Sequence, residues 1–193
     1  MKHLVVYCHP NPASFSHAIL TTLVATLEAQ GHEVVVHDLY ARGFDPVLSG
    51  ADFAALQAGD LPADIRAEQA AVRDADVIDL VFPTWWAGLP ARLKGWIDRV
   101  FLYGFAYAVT EQGIAGLLGG KQVRIFQTVG HPEAAYADTG NGMASAMRKT
   151  IDTGIFQFCG LTVVGHHYLW AVPYVDDAAR KAYLAEIEAI LAA

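Results

Sequence analysis

The sequence predicts an α/β fold, a three-layer sandwich in which helices cover both faces of a five-stranded parallel sheet. Short runs of β-branched and apolar residues alternate with longer segments of helical spacing, as they do in parallel sheets. Hydrophobic residues make up 54% of the chain and charged residues only 17%, which is typical of strands buried on both faces. No repeat or linker interrupts the alternation, so we expect residues 1–193 to form a single domain.

Five segments have the length and composition of buried strands. Right-handed crossovers between them give a doubly wound sheet, and at this chain length the spatial order 2-1-3-4-5 is favoured over a larger six-stranded order. The predicted strands are Leu4–Cys8, Glu33–His37, Val77–Phe82, Val123–Val129 and Leu161–Gly165.

Helical segments alternate with these strands. Ala18–Gln30 carries apolar residues at helical spacing and is followed by Gly31, a typical stop signal. Tyr40–Gly50 is irregular and longer than a simple connection requires, which suggests a role in binding. The other predicted helical segments are Ala51–Arg73, Leu89–Phe101, Met143–Ile155 and Asp177–Leu191.

Composition limits the function classes. The net charge of −7 argues against nucleic acid as the main partner, because phosphate binding needs a basic surface. The sequence has no run of eighteen apolar residues and begins directly with a strand pattern, so we expect no membrane span, no signal peptide and a cytoplasmic location. Cys8 and Cys159 lie in apolar segments and are expected to be reduced core thiols.

Two groups of polar residues are expected to carry no chemistry. His166 and His167 are adjacent, so on a strand they point to opposite faces and cannot chelate one metal ion together. We therefore predict no metal site. Lys94, Asp98 and Arg99 are expected to lie on the solvated face of their helix.

A ligand is expected where the winding direction of the sheet reverses, beyond the carboxyl ends of strands one and three. The loop after strand one places Ser14 and Ser16 near a helix start, where amides and the helix dipole favour an anion, although such serines are also ordinary N-caps. The loop after strand three contains Trp85 and Trp86, which suit a flat heteroaromatic ring unless they pack in the core. The sequence lacks the glycine-rich motifs of classical dinucleotide folds and P-loops.

Motifs along nearly the whole chain resemble the flavodoxin-like NAD(P)H:quinone oxidoreductase family. That family includes vertebrate quinone reductases, bacterial drug-activity modulators and ancillary proteins of potassium-efflux systems. The matching segments are His9 with Ser14–Phe15, Glu33–Ala41, Phe44–Ser49, Asp64–Gln69, Phe82–Pro83 with Trp86, Leu93–Phe101, Phe105–Tyr107 and Phe158–Gly160.

The resemblance implies a flavin, FAD rather than the alternative FMN, with NAD(P)H as co-substrate. FAD is favoured because its adenine half would occupy a second pocket near Ser16, Phe44–Ser49 and Gln69. Tyr107 and Phe158 match positions that, with Trp86, form the substrate pocket across the subunit boundary of a homodimer. The positions implied to hold the flavin are His9, Ser14, Phe15, Ser16, Gln69, Pro83, Thr84, Trp85, Trp86, Thr128, Val129, Gly130, His131 and Tyr136.

The sequence departs from the vertebrate pattern at several of these positions. Gly142 occupies the place of a family histidine, and His131 is the candidate to replace that imidazole, with a solvated loop histidine as the alternative. Trp85 stands where glutamine is usual and Ala87 where an aromatic is usual. These differences leave the identity of the acceptor open.

The resemblance implies two-electron transfer from NAD(P)H to a quinone or another flat acceptor by a ping-pong mechanism, with Tyr136 and His131 as candidate catalytic residues. Two other functions are compatible with the sequence. One is a flavodoxin-type one-electron carrier, and the other is a regulatory flavoprotein subunit of a membrane transporter.

Overall fold

A computed structural model describes residues 1–136 and 142–192. Its parallel sheet has the spatial order β2-β1-β3-β6-β7. The strands are β1 (Lys2–Tyr7), β2 (Glu33–Asp38), β3 (Val77–Pro83), β6 (Gln122–Thr128) and β7 (Thr162–Leu169). Two further strands, β4 (Tyr107–Thr110) and β5 (Gly113–Gly116), form a separate antiparallel hairpin that the sequence analysis missed. The five parallel strands therefore follow the predicted order once the hairpin is left out of the count.

Two of the helices begin with a serine whose side chain caps the first turn. Ser14 accepts a hydrogen bond from the amide of His17 at the start of the helix Phe15–Ala29, and Ser49 forms a capping box with Asp52 at the start of the helix Gly50–Ala58. Within the described residues, no helix is both long and apolar enough to cross a membrane. The helices are α1 (Phe15–Ala29), α2 (Gly50–Ala58), α3 (Ala63–Asp74), α4 (Ala91–Val100), α5 (Met143–Arg148), which continues as a π-helical segment (Lys149–Gln157), and α6 (Asp177–Ala192).

Two hydrophobic clusters lie on opposite faces of the sheet. Along β1, Leu4 and Val6 belong to the cluster that contains Trp96 of α4, whereas Val5 and Tyr7 belong to the cluster that contains residues of α1 and α6. Because successive side chains of a strand point to opposite faces, this division places helices on both sides of β1. The carboxyl ends of the strands are thereby left free at one edge.

The last predicted strand and the helix before it differ from the structure. β7 extends to Leu169, four residues beyond the predicted end, and pairs with β6 along its length. His166 and His167 interrupt the apolar pattern of β7, so hydrophobic spacing did not predict the last four residues of this strand. The predicted helix Met143–Ile155 changes to π-helical geometry after Arg148, which hydrophobic spacing does not reveal.

Arg99 is buried, so the expectation that it lies on a solvated face was wrong. Its guanidinium donates to Asp52 at 2.8 Å and to Asp64 at 3.1 Å. Lys94 and Asp98 do form a surface ion pair four residues apart. The difference arises because α2 and α3 bring carboxylates to Arg99 from distant parts of the chain.

Candidate active site

A cavity of about 310 Å³ opens at the carboxyl edge of the sheet. The loops that follow β1, β3, β6 and β7 meet there, as parallel topology requires. Its lining residues are His9, Ser14, Phe15, Ser16, Pro83, Thr84, Trp85, Thr128, Val129, Gly130, Val172 and Pro173. The structure therefore brings together ten residues that the sequence analysis proposed for flavin binding.

The start of α1 supplies the polar end of the cavity. The Ser14 hydroxyl lies 3.3 Å from that of Tyr7, and the Ser16 hydroxyl lies 3.2 Å from that of Thr128. These contacts join the first loop to the ends of β1 and β6. Since the first amides of a helix have no partners within the helix, this wall presents donors and a positive dipole end to an anion.

His9 stands beside the aromatic part of the cavity. Its Nδ1 accepts a hydrogen bond from the backbone amide of Asn11 at 3.0 Å, and its ring centre lies 6.2 Å from that of Trp85. Burial lowers the pKa of His9 below its ordinary value, against a smaller opposing effect of the Asn11 carbonyl oxygen, which lies 3.1 Å from Nδ1. The imidazole is accordingly neutral at pH 7 and can bind a ligand through hydrogen bonds rather than charge.

The two adjacent tryptophans have different environments. Residues 85–88 form a tight turn closed by two backbone hydrogen bonds between Trp85 and Gly88, of 3.2 and 3.0 Å. Trp86 and Ala87 have φ values of 50° and 55°, a left-handed conformation that side chains disfavour and that is concentrated at functional sites. The turn directs Trp85 to the cavity and leaves Trp86 fully exposed. Trp86 does not line the cavity of its own chain, unlike the expectation for both rings.

Two threonines fix the floor of the cavity. The Thr84 amide donates to the Thr128 carbonyl at 2.7 Å, which continues the pairing of β3 and β6 past the strand ends. The Thr84 hydroxyl accepts a hydrogen bond from Nε2 of Gln127, also at 2.7 Å. Gln127 is a fully buried polar residue of β6 that the sequence analysis did not single out.

His131 and Tyr136 lie near the cavity but do not line it. Their ring centres are 6.4 Å apart, and Tyr136 packs on Trp170 at 5.5 Å. The His131 carbonyl accepts a hydrogen bond from Ala171 at 3.0 Å. The two candidate catalytic side chains are thus neighbours on the loop that leaves β6.

Gln69 and the Phe44–Ser49 segment are placed elsewhere. Nε2 of Gln69 donates to the Val100 carbonyl at 2.9 Å inside the protein. The segment packs against α4, where a Cβ atom on Gly95 would lie 2.0 Å from the Pro46 carbonyl oxygen. Neither lines the cavity, so the second pocket predicted at this position is not part of it.

Val172 and Pro173 line the cavity, although the sequence analysis did not name them. The Val172 amide donates to the Val129 carbonyl at 3.1 Å, which ties the loop after β7 to the loop after β6. β7 lies next to β6 in the sheet and runs parallel to it, so its carboxyl end meets the same edge. That adjacency is the signal that would have identified them.

A second cavity, which we call the apolar groove, has a volume of about 350 Å³. Tyr107 of the hairpin and Phe158 lie there with ring centres 5.5 Å apart. The hairpin approaches the end of the π-helical segment so closely that a Cβ atom on Gly116 would lie 2.4 Å from the backbone of Cys159 and Gly160. The groove is lined by Leu48, Phe53, Leu56, Ile97, Asp98, Phe101, Leu102, Tyr103, Tyr107, Gly154, Ile155, Phe158 and Cys159.

The cavity residues suit a phosphorylated, flat heteroaromatic ligand. Hydroxyls and helix amides stand at one side, and Phe15, Pro83 and Trp85 offer apolar surface beside them. In residues 1–136 and 142–192, no group of three or more His, Cys, Asp or Glu is arranged to hold a metal ion. The available chemistry is hydrogen bonding, stacking and anion binding.

Comparison with known proteins identifies the fold that the chain shares with them. Residues 1–191 match the Flavodoxin_2 family model, described as a flavodoxin-like fold. A Haemophilus influenzae protein named "Uncharacterized NAD(P)H oxidoreductase" is 36% identical over 185 residues, which span 95% of this chain and 91% of that protein. Human ribosyldihydronicotinamide dehydrogenase (quinone) is 33% identical, with 95% of this chain and 87% of that protein covered.

A solved structure has the same architecture. The NAD(P)H:quinone oxidoreductase of Methanothermobacter marburgensis superposes with a TM-score of 0.83 at 28% identity, covering 99% of this chain and 94% of that one.

Proposed function

Since the chain belongs to the flavodoxin-like family whose model it matches over residues 1–191, we propose that it is a flavin-dependent NAD(P)H oxidoreductase that reduces quinones or similar flat acceptors. The observation that carries this proposal is the cavity at the carboxyl edge of the sheet, where an anion site and an aromatic wall meet. The names of the human and Methanothermobacter marburgensis relatives, both quinone-reducing enzymes, support the same reaction.

Different residues of the cavity would bind different parts of the flavin. The start of α1, with Ser14 and Ser16, would hold the flavin phosphate, and Trp85 and Pro83 would lie along the ring. Backbone groups of residues 128–130 would hydrogen-bond the polar edge of the ring. When bound, the flavin supplies the hydride chemistry, and the protein supplies orientation and electrostatics.

The flavin we propose is FAD, with its adenosine half in a different place from the one the sequence suggested. A third cavity, distinct from the apolar groove, adjoins the cavity at the carboxyl edge and shares Ser14, Phe15, Val172 and Pro173 with it. It extends to Arg180 of α6, whose Nη2 donates to the Val172 carbonyl at 3.2 Å. FMN is the alternative, because it needs only the first cavity.

A homodimer would complete the substrate pocket. Phe53, Tyr103 and Phe158 of the apolar groove are 53%, 49% and 43% exposed, an amount of aromatic surface that a single chain leaves uncovered. We propose that a second copy of this chain covers the groove. Tyr107 and Phe158 of one chain would then stand near the exposed Trp86 of the other, which explains a fully exposed tryptophan in a strained turn.

Tyr136 and His131 are proposed as polar partners of the acceptor. The Tyr136 hydroxyl would donate a hydrogen bond to negative charge that develops on the acceptor, with His131 beside it. Their position outside the cavity lining fits contact with a substrate that enters after the flavin.

The proposal is tested on purified protein by its visible spectrum, by mass identification of the released cofactor, and by steady-state kinetics with NADH, NADPH and a benzoquinone. We expect a flavin spectrum and release of FAD. Double-reciprocal plots of the initial rate should give parallel lines, as a ping-pong mechanism requires, since NAD(P)H and the acceptor would bind at the same place in turn. A protein that binds neither FAD nor FMN would refute the function. Flavin binding without NAD(P)H oxidation would instead favour the one-electron carrier.

A further inference from the structure

A chain of buried hydrogen bonds leads from the π-helical segment to the cavity. Nδ1 of His166 lies 2.7 Å from a carboxylate oxygen of Asp152, and Nε2 of His166 lies 2.8 Å from the amide oxygen of Gln127. Nε2 of Gln127 then donates to the Thr84 hydroxyl at 2.7 Å. We call these four residues, Asp152, His166, Gln127 and Thr84, the buried relay. Only Thr84 lines the cavity.

The chemistry of the relay gives it a direction. The two ring nitrogens of His166 lie between a carboxylate oxygen of Asp152 and the amide oxygen of Gln127, so the imidazole contacts the amide through its oxygen side. The Gln127 amide is thereby oriented with its NH₂ group toward Thr84. Because the Thr84 oxygen already accepts this bond, its own hydrogen is free to point at a ligand.

Unusual local structure positions the relay. Asp152 lies in a nine-residue π-helical segment, a geometry that is rare and often found at functional sites. His166 lies in the part of β7 that continues past the apolar pattern. Asp152, His166 and Gln127 are all buried, where an unpaired polar group would be costly and a paired one is held in a single orientation.

Two other buried histidine–carboxylate pairs show what is particular to this one. His3 pairs with Asp79 at 2.6 Å, and His37 pairs with Glu68 at 2.6 Å. Neither pair includes a residue that lines the cavity. The hydrogen bonds of the His166 pair continue through Gln127 to Thr84 in the cavity wall. Buried residues therefore fix the orientation of a hydroxyl group that faces the ligand.

We propose that Asp152, His166 and Gln127 are positioning residues that fix the Thr84 hydroxyl as a hydrogen-bond donor to the flat ligand of the cavity. This inference rests on the proposed function, in which that ligand is a flavin. A fixed donor against the ring favours additional negative charge on the ring. The relay would therefore strengthen flavin binding and raise the reduction potential of the bound flavin.

A double-mutant cycle tests this proposal, with flavin affinity from fluorescence titration and reduction potential from dye equilibration as its readouts. Thr84→Val should weaken flavin binding about five- to tenfold and make the potential more negative, whereas Thr84→Ser should retain both values. His166→Gln should shift both readouts in the same direction as Thr84→Val but less. In the Thr84→Val background, His166→Gln should add no further shift.

His167→Gln is the matched control, because His167 stacks on Phe126 at 5.3 Å and is outside the relay. Asp152→Asn provides a second relay variant in case His166→Gln does not fold. If Thr84→Val leaves the potential unchanged, or if a relay variant shifts it equally with and without Thr84, the inference is wrong while the proposed function stands. If the unmodified protein binds no flavin, both proposals fall.

Discussion

The cavity at the carboxyl edge of the sheet and the apolar groove are built in opposite ways. The cavity at the carboxyl edge is formed by loops that follow parallel strands, and its polar side chains are already bound to one another, as in the Ser16–Thr128 contact. The apolar groove is formed by α2, α4, the hairpin and the π-helical segment, and three of its aromatic side chains, Phe53, Tyr103 and Phe158, are exposed. The polar contacts of the first hold its proposed ligand site in place before a ligand binds, whereas the second leaves aromatic surface that the proposed partner chain would cover.

Polar contacts that are already formed and aromatic side chains that are exposed therefore mark different kinds of site. Buried polar contacts cost little to maintain once formed, and they select one ligand orientation. Exposed aromatic surface is unfavourable in a lone chain and is relieved when another surface covers it. The first three of the following predictions separate the cavity at the carboxyl edge from the apolar groove.

Phe158→Asp should have the largest effect, because it places a charge in the centre of the proposed dimer surface. We expect dimer dissociation at least a hundredfold easier, about 3 kcal/mol, measured by sedimentation at several protein concentrations. Val109→Asp is the control, since Val109 is exposed on the same hairpin but does not line the groove. If the Phe158→Asp variant still sediments with the mass of two chains, the dimer interface does not lie at the apolar groove.

Gly95→Ala should destabilise the fold and disturb the groove more than the cavity. The added Cβ atom would lie 2.0 Å from the Pro46 carbonyl oxygen, so the segment that carries Leu48 to the groove must move. We expect the free energy of unfolding to fall by about 1–3 kcal/mol, measured by urea titration. Gly119→Ala has open space around its Cβ position and should show no comparable loss. Equal stability of the two variants would contradict the packing described for α4.

Ser16→Ala should weaken flavin binding at the carboxyl edge and leave dimerisation through the apolar groove unchanged. The change removes the hydroxyl that contacts Thr128 at 3.2 Å, and flavin affinity should fall about fivefold, near 1 kcal/mol. Fluorescence titration measures this loss, and Thr21→Ala, on the exposed face of α1, should leave affinity unchanged. A loss of dimerisation without a loss of affinity would reverse the assignment of the two cavities.

The smallest effect concerns the two thiols. Burial raises the pKa of Cys8 to about 12, and burial raises the pKa of Cys159, in the groove, to about 11. Both groups are protonated at pH 8, so alkylation of the folded protein should be slow and should speed up about tenfold per pH unit, with Cys159 ahead of Cys8. Peptide mass mapping after timed iodoacetamide treatment follows each thiol. Rapid modification of Cys8 at pH 8 would contradict the burial of this thiol in the folded protein.

Sequence reasoning located the cavity at the carboxyl edge but assigned individual side chains less well. Ser14, Ser16, Thr84 and Trp85 came from loops whose meeting point follows from parallel topology. The separation of Trp86 from the cavity depends on a left-handed turn that the sequence Trp-Trp-Ala-Gly does not announce. Resemblance placed Gln69 beside the flavin, whereas the structure uses its amide to bind a carbonyl of α4.

The five parallel strands, their order and the edge at which a ligand would bind follow from the sequence, because hydrophobic spacing is local and right-handed crossovers leave few arrangements. The tertiary structure decided the burial of Arg99, the docking of the hairpin at Gly116 and the relay through His166. Each depends on groups that are far apart in the chain and meet only after packing. A polar residue alone does not specify its partner; the geometry of the folded chain does.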